Sequence, residues 1–284
     1  MKALVVGASG MLGSTMLRVL SEGYDLEVFG TVRDERVKRF FSASIGERLK
    51  SGVDVEHQDS LERILDEIRP DVVVNCAGLT KHKPEADDQL VAVPINTLMP
   101  HRLARLCKLI GARLIHVSTD CVFSGNKGSY VEDDFTDARD VYGKSKALGE
   151  VNCRHAITLR ISTIGHELQS KFGLLDWFLS QERQCRGFTR AVFSGLPTVA
   201  FAQVVRDVVL PRKDLFGVYH VAAKPIAKFD LLTLIANVYG KVIDIVPDDT
   251  LVVDRSLDAK RSESATGYVA PEWIDLVKLM YAYK

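Results

Sequence analysis

The chain has 284 residues, 46% hydrophobic and 26% charged, and its 37 basic residues balance 37 acidic ones. This composition is typical of a globular protein, and the lack of a basic block or a membrane-length apolar run argues against nucleic acid and membranes as partners. The five cysteines include no C-x-x-C pair. Free thiols in the cytoplasm are therefore expected, rather than disulfides or a metal site.

The amino-terminal stretch predicts a strand, a glycine turn and a helix. Residues 2–6 form a short apolar run, and residues 12–20 carry apolar side chains at helical spacing until Gly23. Between them the spacing G-x-x-G-x-x-G permits unusual backbone angles and close approach of a phosphate to the N–H groups that begin the helix. The turn thus predicts a dinucleotide diphosphate site formed by Gly7, Ser9, Gly10, Met11, Leu12 and Gly13.

The second predicted strand, residues 26–29, ends without the carboxylate that binds ribose hydroxyls in NAD-binding folds. Gly30 and Thr31 stand at that position, and Arg33 follows two residues later. A guanidinium there suits the 2′-phosphate of NADP, whereas the alternative is a solvated arginine in a charged run. The expected cofactor is NADP(H), with NAD(H) kept as an alternative.

Strands and helices continue to alternate along the first half of the chain. Four further apolar runs predict strands at residues 53–55, 71–78, 113–118 and 156–160. Ser60 is expected to cap one helix and Asn96 to begin another, which places Asp59 and Ser60 at a strand's carboxyl end beside the adenine. The alternation predicts an α/β fold, a Rossmann-type doubly wound parallel sheet that binds ligands at its carboxyl edge.

Two short motifs lie at that edge. Ser118-Thr119-Asp120 directly follows the fifth predicted strand. Tyr142 and Lys146 are four residues apart, so on a helix they project from one face. A Tyr-x-x-x-Lys pair alone is common by chance. A glycine turn, a Ser-Thr after strand five and this pair in the same order are a far more specific signal.

Beyond residue 165 the alternation loosens. The pattern predicts helices at residues 174–178, 229–239 and 271–281, an irregular segment at 187–198, a strand at 217–221 and a polar link at 254–258. We therefore expect a dinucleotide-binding domain of residues 1–165, to which a strand at 217–222 returns, and a smaller substrate-binding lobe of residues 166–284.

These motifs resemble those of the extended short-chain dehydrogenases/reductases, specifically the dTDP-4-dehydrorhamnose reductase family. The likeness covers residues 7–13, 75–80, 118–125, 142–150, 159–164, 195–200, 217–221 and 254–258. It implies that Thr119, Tyr142 and Lys146 are catalytic and that Asn96 completes a proton relay. We expect the Lys146 ammonium to lower the pKa of Tyr142, which then protonates the reduced sugar.

The resemblance also assigns binding residues. Beyond the glycine turn and Arg33, the cofactor contacts it implies are Asp59, Ser60, Cys76, Ala77, Gly78, Ser118, Tyr142, Lys146 and Ile164. The predicted substrate contacts are Thr80, Lys81, Asp120, Cys121, Thr163, Arg190 and Arg255, with His82 beside Lys81. Arg190 is included for its place in the irregular segment, and Lys81 for its place after the fourth strand. For Arg255, Arg190, Lys81 and His82 a solvated surface charge is the alternative.

The implied activity is NADPH-dependent reduction of the 4-keto group of a nucleotide-linked 4-keto-6-deoxy sugar, in the synthesis of cell-surface polysaccharide precursors. Cys121 stands where the family usually has an aromatic residue, and Thr163 where it has tryptophan. Another 4-keto sugar, N-acetylated ones included, is therefore an alternative substrate. A sugar 4-epimerase and a non-catalytic regulatory subunit of the methionine adenosyltransferase type are the alternative functions. A homodimer, with or without a magnesium ion at its contact, is left open.

Overall fold

The computed structural model describes residues 1–23, 25–81, 84–169 and 171–284. The strands are β1 (Lys2–Val6), β2 (Glu27–Thr31), β3 (Leu49–Lys50), β4 (Val72–Asn75), β5 (Arg113–Thr119), β6 (Ala156–Ile161), β7 (Thr163–Ile164), β8 (Gln184–Phe188), β9 (Ala191–Phe193), β10 (Leu196–Pro197), β11 (Gly217–His220), β12 (Ile226–Ala227), β13 (Asp244–Asp248) and β14 (Val253–Asp254). The helices are α1 (Met11–Ser21), α2 (Ala43–Gly46), α3 (Gln58–Ile68), α4 (Gln89–Ala92), α5 (Met99–Ile110), α6 (Val141–Leu148), α7 (Leu174–Ser180), α8 (Thr198–Val204), α9 (Lys228–Tyr239), α10 (Lys260–Thr266) and α11 (Trp273–Ala282). Short 3₁₀ turns cover Glu35–Phe40, Pro84–Asp87 and Asp120–Val122, and π-helical turns cover Val93–Leu98 and Val205–Val209.

The central sheet has the strand order β11-β6-β5-β4-β1-β2-β3, and its neighbouring strands pair in parallel. The chain adds β2 and β3 on one side of β1, then crosses to add β4, β5 and β6 on the other. The order therefore reverses between β1 and β4, which opens a ligand crevice at the carboxyl edge. This arrangement confirms the predicted α/β doubly wound fold, and β11 confirms the predicted returning strand.

Helices cover both faces of the sheet because successive side chains of each strand point to opposite sides. Ala3 and Val5 of β1 belong to a core shared with α1, α8, α9 and α11. Leu4 and Val6 pack instead against α3 and α5. The region after residue 165 thus contributes helices to the same core as the nucleotide-binding half, and the proposed division into two domains at that point stays a prediction.

Several predicted boundaries are wrong. The third strand lies at Leu49–Lys50 and not at residues 53–55, because Leu49 pairs with Gly30 in the register of β2. Helix α3 begins at Gln58 with His57 as its N-cap, so Ser60 lies inside the first turn and caps nothing.

The segment around Asn96 also differs from its prediction. Helical structure begins at Gln89, where the Asp88 carboxylate accepts a hydrogen bond from the Leu90 N–H at 2.8 Å. Asn96 therefore lies within the π-helical turn Val93–Leu98 and does not begin a helix. Pro94 lacks an N–H group for the regular helical ladder, which is a physical reason for the widened turn.

The segment predicted to be irregular, residues 187–198, instead contributes to β8, β9, β10 and α8. Its glycines permit close packing against neighbouring segments and do not mark irregular backbone. A Cβ at Gly187 would lie 2.8 Å from the side chains of Ile245 and Phe229, and one at Gly195 would collide with the Ser162 carbonyl. Part of the predicted polar link is also a strand, because β14 pairs with β9.

Candidate active site

The glycine turn after β1 has the geometry expected of a diphosphate-binding turn. Gly7 has a φ of +84°, and a Cβ there would lie 2.8 Å from the Ala77 backbone. A Cβ at Gly13 would collide with the Gly7 carbonyl, whereas Gly10 is exposed and a Cβ there would meet only the Gly7 carbonyl, at 3.6 Å. The first turn of α1 contains no acidic residue. Ser9 is exposed and Met11 and Leu12 are partly exposed, so the turn can present its N–H groups to an anion.

The residues predicted to hold the adenosine end follow β2 and begin α3. The Thr31 hydroxyl accepts a hydrogen bond from the Gly7 N–H at 3.1 Å, so the end of β2 supports the glycine turn. Arg33 is exposed two residues beyond β2, and the neighbouring Asp34 is paired with Arg36 and not with Arg33. Asp59 is exposed in the first turn of α3.

Thr119 and Tyr142 are brought together by the packing of α6 on the segment after β5. The Asp140 carboxylate caps α6 by accepting from the Gly143 N–H at 2.7 Å. A Cβ at Gly143 would collide with the Cys121 carbonyl, so only glycine permits this approach. As a result Thr119 lies close enough to the Tyr142 phenol to lower its pKa, while the Thr119 hydroxyl itself donates to the Asp120 carboxylate at 3.1 Å.

The pKa of Tyr142 contradicts the expectation that Lys146 lowers it. Burial raises this pKa well above the ordinary value, and Cys121, Asp120 and Asp140 raise it further, while the nearby Thr119 lowers it. The Lys146 ammonium is instead directed at the Val117 carbonyl, at 2.8 Å. Tyr142 is therefore fully protonated near neutral pH, which is the state required of a proton donor.

Lys146 is buried, and the nearby Glu150 carboxylate partly offsets the effect of burial on its pKa. Its exposed fraction is 6%. Burial lowers its pKa to about 8, and the charges of Glu150 and Cys76 oppose that shift. A lysine with this pKa changes its charge close to physiological pH, which is typical of a functional site.

Asn96 is placed as a positioning residue. Its amide accepts from the Leu79 N–H at 2.9 Å and donates to the Leu79 carbonyl at 3.2 Å and the Ser145 hydroxyl at 3.1 Å. It thereby joins the loop after β4 to α6. Its part in a proton relay stays a prediction.

The loop after β4 lies against Lys146. A Cβ at Gly78 would lie 3.9 Å from the Lys146 ammonium, and the Lys146 charge acts on the Cys76 thiol, whose pKa burial raises to about 12. Ala77 is partly exposed and Thr80 is exposed. The cofactor contacts of Cys76, Ala77 and Gly78 and the substrate contact of Thr80 stay predictions.

Two other predicted contacts follow the neighbouring strands. The Ser118 hydroxyl donates to Glu150 at 2.7 Å, so its side chain is engaged in the interior. Thr163 and Ile164 form β7, which pairs with β10. Thr163 is partly exposed and Ile164 is buried.

The predicted substrate residues divide into two groups. Lys81 lies 3.8 Å from the Cys121 sulfur, and the charges of Lys81 and Arg255 both act on that thiol beside Asp120. Arg190 is an exposed residue just before β9, and its carbonyl accepts from the Val253 N–H at 3.1 Å. The structure thus brings Lys81, Cys121 and Arg255 together, and Arg190 lies just before β9, the strand that pairs with β14. His82 lies outside the described residues.

The described residues contain neither a metal-binding cluster nor a membrane-spanning helix. Within residues 1–23, 25–81, 84–169 and 171–284, no cluster of three His, Cys, Asp or Glu side chains has the geometry to hold a metal ion. Among those same residues, no helix combines the length and apolar character needed to cross a bilayer.

Comparison with known proteins agrees with this geometry. The family described as the RmlD substrate binding domain matches residues 1–273. The chain belongs to this family. Its match covers the glycine turn, the Thr119, Tyr142 and Lys146 trio, and Arg255 alike.

Relatives of this RmlD-family chain include named reductases. The dTDP-4-dehydrorhamnose reductase of Aggregatibacter actinomycetemcomitans is 25% identical over 307 residues, covering 99% of each chain. The Probable low-salt glycan biosynthesis reductase Agl14 of Haloferax volcanii is 34% identical over 272 residues, covering 91% of this chain and 85% of the relative. Matches to four further curated reductases extend over only 43–45% of the relative.

A solved structure shows the same fold. The dTDP-4-dehydrorhamnose reductase of Bacillus anthracis, in complex with NADP, has a TM-score of 0.81 at 19% identity and covers 100% of this chain and 99% of its own. The likeness extends through the carboxyl-terminal region as well as the central sheet.

Two residues of this RmlD-family chain were missed by sequence reasoning. Glu150 raises the pKa of Lys146 and pairs with the buried Arg160 at 2.7 Å. Its position four residues after Lys146 was an available signal. Lys228 at the start of α9 is affected by the charges of Lys81 and Arg255. Nothing in its local sequence marks it, because distant segments form its surroundings.

Proposed function

We propose that this chain uses NADPH to reduce the 4-keto group of a nucleotide-linked 4-keto-6-deoxy sugar for cell-surface polysaccharide synthesis. The observation that carries the proposal is the position of Thr119 at the carboxyl end of β5, two strands from β1 and its glycine turn, with Tyr142 and Lys146 on the neighbouring helix α6. The names of the full-length relatives, dTDP-4-dehydrorhamnose reductase and low-salt glycan biosynthesis reductase, support the same reaction class.

The residues present fit the cofactor. The glycine turn leads into α1, whose first turn contains no acidic residue. Its N–H groups can therefore bind the negatively charged diphosphate of a dinucleotide. Arg33 would face the 2′-phosphate, and Lys146 with the loop after β4 would hold the nicotinamide half. A bound nicotinamide supplies the hydride in this chemistry.

The side chains supply the proton chemistry. Thr119 hydrogen-bonds the ketone oxygen and orients it, and Tyr142 donates its phenolic proton to the alkoxide that reduction leaves. Lys146 carries positive charge below a pH of about 8 and stabilises the negative charge then left on the tyrosine. Asn96 fixes the loop and helix that carry these groups.

The decisive test is a panel of nucleotide-linked 4-keto sugars, incubated with the protein while NADPH absorbance is followed. A ketoreductase consumes NADPH in proportion to product. A 4-epimerase forms product without net NADPH oxidation, and a regulatory subunit does neither. The panel includes N-acetylated sugars because Cys121 and Thr163 differ from the family's usual residues and leave more than one sugar as a candidate substrate. The cytoplasmic location and a homodimer stay predictions of the sequence.

Cofactor choice is expected to depend on Arg33. Arg33→Ala removes a charge that only the 2′-phosphate of NADPH can use, so NADPH affinity should fall by about 1.5–3 kcal/mol and NADH affinity should change little. Isothermal titration with both cofactors measures the difference. Arg36→Ala is the matched control, since Arg36 pairs with Asp34. Equal losses for the two cofactors would make Arg33 a loop-stabilising residue.

Substrate affinity is expected to depend on Arg255. Its Nε donates to the Phe123 carbonyl at 2.8 Å, which holds the guanidinium beside the cleft. Arg255→Ala should raise the KM for the nucleotide sugar and leave kcat at saturation nearly unchanged, the signature of lost uniform binding. Steady-state kinetics with the identified substrate test this, and an unchanged KM would contradict it.

A further inference from the structure

Resting on the proposed function, we propose that Lys228 is a substrate-binding residue that contacts the diphosphate of the nucleotide sugar, together with Lys81 and Arg255. We call these three residues the cleft cations. Lys228 belongs to neither the glycine turn nor the catalytic trio. It lies in the carboxyl-terminal region, at the first position of α9.

The small sheet β12-β9-β14 places Lys228 near Arg255. Ala227 of β12 and Asp254 of β14 both pair with Val192 of β9, one from each side. β12 runs antiparallel to β9 and β14 runs parallel to it, so Lys228 lies toward Ala191 and Arg255 lies toward Phe193. Their backbones are about 10 Å apart across β9 and offset along it by about two residues, and the charge of Arg255 still acts on Lys228.

The segment after β5 completes the group from the catalytic side. The Phe123 carbonyl accepts from the Arg255 guanidinium at 2.8 Å, and the Lys81 ammonium lies 3.8 Å from the Cys121 sulfur. Cys121 and Phe123 follow Thr119 by two and four residues. The cleft cations thus lie beside the position that the reacting sugar would occupy, where its attached diphosphate would also lie.

Charge identifies the ligand class. The charges of Lys81, Arg255 and Asp120 all act on Lys228, so this group holds three cations and one carboxylate. Burial raises the pKa of the Cys121 thiol to about 11 and keeps it neutral. The excess of two positive charges matches the two negative charges of a sugar-linked diphosphate. Burial and Lys81 lower the pKa of Lys228, and Asp120 opposes that shift. Cations held this close repel one another unless an anion joins them, and the diphosphate is the anion that the proposed substrate brings.

The test compares binding of dTDP and UDP with binding of thymidine and uridine, measured by isothermal titration calorimetry. Lys228→Gln is expected to weaken binding of the preferred nucleoside diphosphate by about ten- to a hundredfold. Nucleoside binding should not change, because it lacks the phosphates. Lys278→Gln, an exposed lysine on α11, is the matched control for loss of one charge. Lys228→Arg keeps the charge and should retain most of the affinity.

Binding of NADPH to the same variants separates this inference from the proposed function. Unchanged NADPH affinity with lost nucleoside diphosphate affinity supports the role of Lys228. Unchanged nucleoside diphosphate affinity in Lys228→Gln overturns the inference and leaves the ketoreductase proposal standing. A protein that binds NADPH but neither dTDP nor UDP also overturns it. Equal loss of nucleoside and diphosphate affinity would mean that Lys228 only supports the fold of the cleft.

Discussion

Tyr142→Phe is expected to lower kcat by about a hundred- to ten-thousandfold, the contribution of a positioned proton donor. The phenol lies near Thr119, and its raised pKa keeps it protonated until the alkoxide forms. Phenylalanine keeps the ring that packs beside Cys121 but has no proton to give. Affinity for NADPH should change little, because the glycine turn and Lys146 remain.

Single-turnover oxidation of NADPH with the identified sugar measures this effect without interference from product release. Tyr281→Phe is the matched control, since Tyr281 is an exposed residue of α11. A Tyr142→Phe rate within about tenfold of the wild type, roughly 1.4 kcal/mol, would remove Tyr142 from the proton-transfer step. The proton would then have to come from another group near Thr119.

The features predicted correctly from the sequence are those carried by local patterns. The run Leu4-Val5-Val6 followed by glycines identified β1 and its turn, and the uninterrupted valines of β4 identified a central strand. The four-residue spacing of Tyr142 and Lys146 placed both on α6. Because right-handed crossovers fix how such units assemble, the parallel doubly wound sheet followed from the alternation.

The errors arose where tertiary contacts override local patterns. Residues 53–55 are apolar enough for a strand, but β2 pairs with Leu49–Lys50. Gly187 and Gly195 signal irregular backbone in a sequence, whereas in the fold they permit close contacts with Phe229 and Ser162. A pattern of residue types does not report which distant segment will lie beside them.

The same limit applies to charge. Sequence spacing correctly put Lys146 one turn from Tyr142, but the pKa of the phenol depends on burial and on Cys121 and Asp120, which come from another segment. The ammonium is instead compensated by Glu150, four residues further along α6 and its C-terminal turn. The proton donor and the cation are therefore tuned by different neighbours.

Glu150 connects Lys146 to a buried polar network. It accepts hydrogen bonds from Ser118 at 2.7 Å and from the Arg160 Nε at 2.8 Å. The Arg160 side chain is 5% exposed and also contacts His220 at 3.2 Å. Because Arg160 is buried, the Glu150 carboxylate is needed to stabilise its positive charge. The same carboxylate lies near Lys146 and raises the pKa of that lysine.

Glu150→Gln should therefore have two effects. Removing the carboxylate leaves Arg160 buried without its counter-charge, which is expected to lower the free energy of unfolding by about 3–5 kcal/mol. It also removes a group that raises the pKa of Lys146, so this pKa should fall below about 8. The ammonium form is the active one, so kcat/KM declines as pH rises through the lysine pKa. That decline should begin at lower pH in the variant.

Chemical denaturation measures the first effect, and the pH profile of kcat/KM, which reports groups of the free enzyme, measures the second. Glu182→Gln, an exposed position, controls for loss of one negative charge. Adding Arg160→Met removes the uncompensated charge and should restore part of the stability while keeping the shifted profile. A destabilised Glu150→Gln with an unshifted profile would make Glu150 a structural partner of Arg160 alone, because only an electrostatic link to Lys146 moves the pH at which activity declines.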